Sequence, residues 1–183
     1  MRPHTTLRLT LGAAALSICL FAPAGLADAE KRCGCKKKEK VYKAVIVGTN
    51  APPPDFSPQN RCAPGGTATI PATGHDTVLG AFTSTQSHCI APPALDFTDG
   101  EFSATQAADV DGNGALDTLT GTYAGALIPA GPGVFLIDGR LSFTTSTGLA
   151  GEGLANGRVV FNQDGTSDTI VVIDGCATSK EKL

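Results

Sequence analysis

The sequence predicts an all-β protein, built as a single antiparallel eight-stranded β-barrel, with a β-sandwich as the alternative. About eight short segments rich in Thr, Val, Ile and Gly follow one another, and turn residues separate nearly all of them. Beyond the first 27 residues no segment has a helical hydrophobic period of useful length. The mostly short connections favour antiparallel neighbours, and about 150 residues are enough to enclose one core without help from a metal.

The first element, residues 1–27, is predicted to be a signal peptide. Two arginines precede an apolar stretch over residues 9–26, and small residues follow it, so cleavage fits best after Ala27 or Ala29. The alternative is an uncleaved membrane anchor, but a stretch of this length interrupted by Pro and Gly is marginal for a membrane span. The mature protein is therefore expected to be secreted, extracellular or periplasmic, with no stable membrane anchor.

Cysteines in an exported chain favour disulfides, because the compartment is oxidising. Cys19 leaves with the signal, and the bulky Ile18 before it argues against lipid attachment. The five disulfide candidates that remain are Cys33, Cys35, Cys62, Cys89 and Cys176. An odd number leaves at least one unpaired or pairing between chains, and we expect the pairs to come from Cys62, Cys89 and Cys176.

The closely spaced Cys33 and Cys35 admit a second interpretation. Such a pair can hold a soft metal, but metal sites need further ligands, and only His75 and His88 remain in the mature chain. A disulfide or a link between chains is the favoured interpretation.

Residues 28–40 form a basic arm, which is expected to be flexible, ahead of an acidic body. Arg61, Arg140 and Arg158 are the only basic residues between 44 and 179, where acidic residues outnumber them. The arm is interpreted either as a solvated leader or as an attachment to an anionic surface. The acidic body, the absence of Trp and the presence of only two Tyr exclude nucleic-acid recognition.

The barrel domain is predicted over residues 41–179, with a four-residue tail at 180–183. The first strand covers 41–47, and the prolines of residues 50–66 indicate an extended surface loop. The further strands are predicted at 67–72, 77–88, 101–107, 118–128, 134–145, 154–162 and 169–177.

Alternation supports two of these strands in particular. In 134–145 one face is apolar, with Phe135, Ile137, Leu141 and Phe143, while the other is mostly polar. In 119–127 glycine alternates with larger residues, which suits a curved sheet where a bulky side chain or another backbone approaches. The sequence Asn-Gln-Asp-Gly-Thr at 162–166 predicts a hairpin.

Three Gly- and Thr-rich stretches, 74–85, 117–125 and 147–153, resemble the strands of secreted bacterial proteins with an allene-oxide-cyclase-like or dirigent-like β-barrel. The resemblance covers roughly residues 41–179. It implies an eight-stranded antiparallel barrel with an interior that can be apolar. It does not imply an activity, because the substrate-positioning residues of the plant cyclases have no match in this chain.

Residues 109–117 carry the sharpest local chemistry, a candidate calcium loop. Oxygen side chains at alternate positions and a glycine at the sixth match the first nine positions of a calcium loop. The twelfth position is Thr120, so the usual bidentate Glu is missing. The candidate ligands are Asp109, Asp111, Asn113, Asp117 and the carbonyl of Ala115, and the alternative is an Asp-Gly turn that needs no ion.

The sequence predicts no catalytic residue. His75 beside Asp76 and His88 beside Cys89 are weak candidates, since adjacent strand residues point to opposite faces. A small acidic cluster of Asp96, Asp99 and Glu101 is expected in a loop.

Three functional hypotheses follow. The favoured one is a secreted, non-enzymatic barrel with a ligand-binding, structural or interaction role, for which calcium is a candidate cofactor and a small apolar molecule a candidate ligand. The others are an isomerase or cyclase acting on an apolar substrate inside the barrel, and a calcium-dependent adhesion module built as a sandwich.

Overall fold

Eight antiparallel strands close into a barrel in the computed structural model, which describes residues 34–109 and 111–179. Each strand pairs with the next along the chain, and the last pairs with the first. The strands are β1 (Lys40–Ala51), β2 (Gly66–Asp76), β3 (Gly80–Ile90), β4 (Asp96–Gln106), β5 (Thr118–Gly131), β6 (Val134–Thr145), β7 (Leu149–Phe161) and β8 (Ser167–Ser179). The predicted barrel is confirmed, and the sandwich alternative is wrong.

Some predictions concern residues outside this range. The signal peptide, the arm up to residue 33 and the tail at 180–183 lie outside the described residues. Across 34–109 and 111–179 there is no helix long and apolar enough to span a membrane.

The main errors in the predicted strand bounds are the starts of β4 and β7, each of which begins five residues earlier than predicted. Asp96, Asp99 and Glu101 were expected in a loop, but all three are exposed residues of β4. The β4–β5 register shifts between Phe97 and Gly100, and Asp99 has a φ of 49°. This β-bulge lets the strand start five residues earlier than its apolar pattern indicates, because it changes which residues face inward.

Strand alternation sorts the side chains as predicted. On β6, Leu141 and Phe143 are buried and Phe135 and Ile137 half-buried, whereas Leu136 is 41% exposed. Among the described residues, inward side chains of seven strands, all except β2, form the hydrophobic core cluster together with Leu79 of the β2–β3 turn.

The glycines of β5 leave room for aromatic rings from β4. A Cβ atom at Gly121 would lie 2.7 Å from the Phe102 ring, and one at Gly125 would lie 2.6 Å from the Phe97 ring. Real Cβ atoms do not approach that closely, so both rings depend on glycine beside them. The predicted role of the alternating glycines is confirmed.

The two ends of the barrel differ in their loops. The proline end carries the loops 52–65, 91–95, 132–133 and 162–166, and the aspartate end carries 77–79, 107–117 and 146–148. Residues 34–39 join β1 at the aspartate end, because Lys40 is the first residue of β1 and pairs with Ala177.

The aspartate end is filled by packed side chains. Leu79, in the β2–β3 turn, is 0% exposed and Leu119 is 1% exposed. The Tyr42 hydroxyl donates to Oδ2 of Asp76 at 3.1 Å, while Oδ1 of Asp76 accepts from the backbone N–H groups of Val78 and Leu79. Asp76 thus ends β2 and closes this half of the barrel, since it accepts hydrogen bonds from three donors at once.

Two disulfides join segments at opposite ends. Cys62–Cys89 links the proline-rich loop to β3, and Cys35–Cys176 links the arm to β8. The prediction that the pairs come from Cys62, Cys89 and Cys176 is correct for the first bond, but Cys176 pairs with Cys35 instead. Both bonds are typical of proteins from an oxidising compartment.

Candidate ligand-binding site

A cavity of about 140 Å³ lies inside the barrel toward the proline end. Its lining includes Pro52, Pro54 and Gly165 from the loops of that end. The strands contribute an apolar lining that includes Ile46, Ile70, Ile90, Leu127, Ile137, Ala155, Val159, Val171 and Ile173. The aspartate half is filled by packed side chains, whereas the proline half keeps an apolar space in the interior.

One side of this cavity is aromatic. His88, Phe97, Phe102 and Tyr123 line it from β3, β4 and β5. The ring centroids of His88 and Phe97 are 5.3 Å apart, and those of Phe97 and Tyr123 are 5.9 Å apart. We call these four residues the aromatic wall. Tilted contacts at such distances are the arrangement that aromatic rings prefer.

A hydrogen bond joins two members of the aromatic wall. Nδ1 of His88 lies 2.8 Å from the Tyr123 hydroxyl, and the two residues are 35 positions apart in the sequence. Burial lowers the pKa of His88 to about 4, and the nearby charge of Arg61 acts in the same direction. Burial also raises the pKa of Tyr123 well above its usual range. Both side chains are therefore uncharged at neutral pH.

His88 is held in place from outside the cavity by the proline-rich loop. Nη2 of Arg61 donates to the carbonyl oxygens of Ser87, at 3.0 Å, and Asp99, at 2.6 Å. The neighbouring Cys62 forms its disulfide with Cys89. Both flanking residues of His88 are thus tied to the loop, and the predicted oxidation of Cys89 is confirmed.

Three further polar side chains in the described residues, those of Thr169, Gln86 and the buried Ser167, line the cavity without hydrogen-bond partners of their own. Oγ1 of Thr169 is buried and has no hydrogen-bond partner among the described residues. Gln86 lies on the same face of β3 as His88, two residues before it, and within the described part of the chain its amide makes no hydrogen bond. These three groups offer unused hydrogen bonds inside a mostly apolar space.

Charged groups stay at the outside of the barrel. Arg140 is the one charged residue in the cavity lining, but it is exposed and also lines a groove on the outer face with Asp99, Glu101 and Ser142. The guanidinium of Arg61 is occupied by backbone carbonyls, as described above. The exposed Arg140 is consequently the single ionised side chain among the described residues that line the cavity.

The candidate calcium loop forms a turn with its own hydrogen bonds. The Asp109 carboxylate accepts from the backbone N–H groups of Gly112 and Gly114, and Oδ1 of Asn113 accepts from the N–H of Ala115. These backbone donors, that of Gly114 foremost, lower the pKa of Asp109. The turn of the alternative interpretation is thus present, and calcium binding stays a prediction.

The remaining candidate ligands occupy different contacts. Both carboxylate oxygens of Asp111 accept from Asn113, one from its backbone N–H and the other from its side-chain amide. Oδ1 of Asp117 accepts from the Ser146 hydroxyl at 2.8 Å. Asp117 is therefore bonded to the β6–β7 turn.

One group of three potential metal ligands occurs in the described residues, and it involves the arm. It consists of Cys35, Glu39 and Cys176. Both cysteine sulfurs are used in the disulfide, so neither is a thiolate that can bind a metal. The disulfide thus accounts for the closeness of Cys35 and Cys176 without a metal. Cys33, its predicted companion, lies outside the described residues.

The sequence indicated His88 as a candidate residue but did not indicate its hydrogen-bond partner, Tyr123. The neighbours His75 and Asp76 do point apart, with His75 exposed and Asp76 buried. Tyr123, Gln86 and Thr169 were not identified, because nothing in a local pattern distinguishes an inward polar residue that lines a space from one that packs. Their alternation on β5, β3 and β8 was the one available signal.

Fold and site together define a class, a closed eight-stranded antiparallel barrel with an apolar internal cavity and a few uncharged polar groups in it. Comparison of the chain with protein-family models, with curated proteins and with solved structures finds no match in any of the three.

Proposed function

We propose that the protein is a secreted, non-enzymatic barrel that binds a small apolar molecule in its cavity. The observation that carries the proposal is the uneven filling of the interior, packed at the aspartate end and hollow at the proline end. Apolar cavities of about 150 Å³ bind benzene-sized molecules, because burying apolar surface is favourable and such spaces hold water poorly. A cavity of about 140 Å³ therefore suits a ligand with a single ring.

Secretion is supported by two independent features. The first 27 residues have the charge and apolar pattern of a signal peptide. The two disulfides need an oxidising compartment to persist. Both are expected of an extracellular or periplasmic protein.

A second candidate function, an isomerase or cyclase, is favoured by the His88–Tyr123 hydrogen bond in the cavity. General acid–base catalysis works best when the pKa of the catalytic group is near the working pH. With a pKa of about 4 for His88 and a raised pKa for Tyr123, the pair is poorly matched to neutral pH. Binding without chemical change is therefore the stronger proposal.

The resemblance to allene-oxide-cyclase-like and dirigent-like barrels agrees with this function. The eight-stranded barrel that it implied is the fold observed. We propose that the protein is a member of that group, because the fold and the Gly/Thr strand patterns agree with it. The proposal does not extend to the cyclase activity. The adhesion hypothesis assumed a β-sandwich, whereas the fold is a closed barrel. Calcium binding by residues 109–117 stays a prediction.

The test is native mass spectrometry of the mature protein recovered from its own secreting host without chelators. A co-purified organic molecule, unchanged on release, is the expected result. A bare or calcium-only protein would contradict the ligand-binding proposal and favour a structural role. A chemically converted molecule would favour the isomerase.

A matched pair of variants locates the bound molecule. Ala155→Leu adds three carbon atoms to the cavity lining and should abolish binding. Ala81→Leu makes the same change at an exposed position of β3 and should leave binding intact. Equal binding by both variants would place the ligand outside the cavity.

A further inference from the structure

The cavity combines apolar walls with an unpartnered hydroxyl. Thr169 is 9% exposed and faces inward from β8, and its Oγ1 finds no hydrogen-bond partner in the described part of the chain. A valine would have the same shape and would not bury an unpartnered polar atom. Packing alone does not account for a threonine here. Ser84 also has an unpartnered hydroxyl, but it does not line the cavity.

Thr169 on β8 and Gln86 on β3 lie three strands apart around the barrel wall. Thr169 pairs with Gly48 on β1, and a Cβ atom at Gly48 would lie 2.7 Å from Ile70. Ile70 in turn pairs with Gln86 on β3. In the register Gly48 itself pairs with Ala72, and the Ile70 side chain lies against the space beside Gly48. Thr169 and Gln86 line the same cavity from separate strands.

The charge of the cavity restricts the ligand further. His88 and Tyr123 are both uncharged at neutral pH, Arg140 is exposed, and Arg61 is bonded to carbonyl oxygens of the backbone. A carboxylate or an ammonium group entering this space would lose its hydration, and the described lining offers it no buried opposite charge. A neutral oxygen would gain the hydrogen bonds that Thr169 and Gln86 leave unused.

We propose that the cavity selects uncharged, single-ring molecules that carry one hydroxyl or carbonyl oxygen, and that Thr169 and Gln86 bind this oxygen. The inference rests on the ligand-binding function proposed above and names its ligand class. It predicts discrimination by polarity and by charge among molecules of nearly equal size.

Toluene, phenol and benzoate test this selection with the mature, oxidised protein, using protein-detected NMR titration at pH 7. Phenol should bind about two- to tenfold more tightly than toluene, the range of one net hydrogen bond. Benzoate should bind at least a hundredfold more weakly than phenol. Equal affinities for phenol and toluene, or tight binding of benzoate, would overturn the inference while leaving ligand binding in place. Failure of all three to bind would contradict the ligand-binding function itself.

Two near-isosteric variants assign the discrimination to its residues. Thr169→Val and Gln86→Met should each reduce the preference for phenol over toluene toward one, without weakening toluene binding. Thr169→Val should also raise the midpoint of thermal unfolding, because it removes an unpartnered buried hydroxyl. A lower midpoint with an unchanged preference in both variants would show that these side chains are structural and would overturn the assignment.

Discussion

His88 shows how burial couples one residue to the stability of the whole barrel. Its pKa is about 4 in the folded protein, against an ordinary value of 6.5. Between these values the unfolded chain binds more protons than the folded one, so the free energy of unfolding falls as the pH drops from 6.5 to 4. The stabilising contribution is complete above pH 6.5 and is lost below it.

We therefore expect the protein to lose roughly 3 kcal/mol of stability through this residue between pH 6.5 and pH 4. His88→Gln should flatten the pH dependence, because glutamine can still bond to Tyr123 but does not titrate. His75→Gln, at an exposed position of β2, should leave the slope unchanged. Denaturant unfolding at several pH values measures all three proteins. A slope that persists in His88→Gln would assign the effect to other groups.

At the scale of a strand, Gly121 shows how a residue without a side chain determines the packing of its neighbours. Gly121 lets the Phe102 ring lie against the backbone of β5, and that ring forms part of the aromatic wall. An added methyl group has to displace either the ring or the adjacent backbone of β6. The curvature of this part of the sheet thus depends on residues that contribute no side chain.

Gly121→Ala is expected to destabilise the barrel by about 3 kcal/mol, the cost of forcing extra volume into a packed site. Gly34→Ala is the matched control, since a Cβ atom there would meet nothing within 4 Å. Its effect should stay within about 0.5 kcal/mol. Thermal and denaturant unfolding provide the comparison, and a Gly121→Ala protein as stable as the wild type would show that Phe102 moves away freely.

The two disulfides differ in the length of chain that they enclose. Cys35–Cys176 spans 141 residues, whereas Cys62–Cys89 spans 27. In the chain-entropy account a longer closed loop restricts the unfolded state more, and the lengths here predict a difference of roughly 1 to 2 kcal/mol.

The paired variant Cys35→Ser with Cys176→Ser should therefore be less stable than Cys62→Ser with Cys89→Ser by that amount. Guanidinium unfolding of both variants under oxidising conditions measures the difference. The reverse order would mean that the local tie between the proline-rich loop and β3 contributes more than loop closure does.

The sequence predicted short-range features well and long-range ones poorly. The apolar alternation of β6 and the glycines of β5 are local patterns, and both agree with the structure. The start of β4 was missed, because the bulge at Asp99 interrupts the alternation that marks a strand. The Cys35–Cys176 bond and the His88–Tyr123 pair join residues far apart in the sequence, and only the closed barrel brings them together.

At the scale of the whole molecule, the lysines in the described part of the arm and the cavity lie at opposite ends. The Cys35–Cys176 bond holds the described part of the arm at the aspartate end, while the cavity extends toward the proline end. Lys36, Lys37 and Lys38 are exposed there. Attachment through these lysines would leave the loops at the proline end accessible to ligand.

We expect the mature protein to bind vesicles containing anionic lipid at low salt and to dissociate at high salt, because Lys contributes about 1 kcal/mol each near such a surface. The triple variant Lys36→Gln, Lys37→Gln and Lys38→Gln should bind at least a hundredfold more weakly, with unchanged affinity for phenol. Arg158→Gln removes one exposed charge elsewhere on the barrel and should have little effect. Vesicle co-sedimentation gives the measurement, and full binding by the triple variant would contradict a role for the arm.

The pairing of β1 with β8, which closes the barrel, affects the folding of the chain during its synthesis. These strands pair along most of their length, although they lie at opposite ends of the barrel sequence. A nascent chain presents the free edge of β1 until the 13 residues of β8 have been synthesised. A chain that stops earlier keeps two unpaired edges, which are templates for aggregation. The barrel can therefore close, and bury its aggregation-prone edges, only after the last strand has been synthesised.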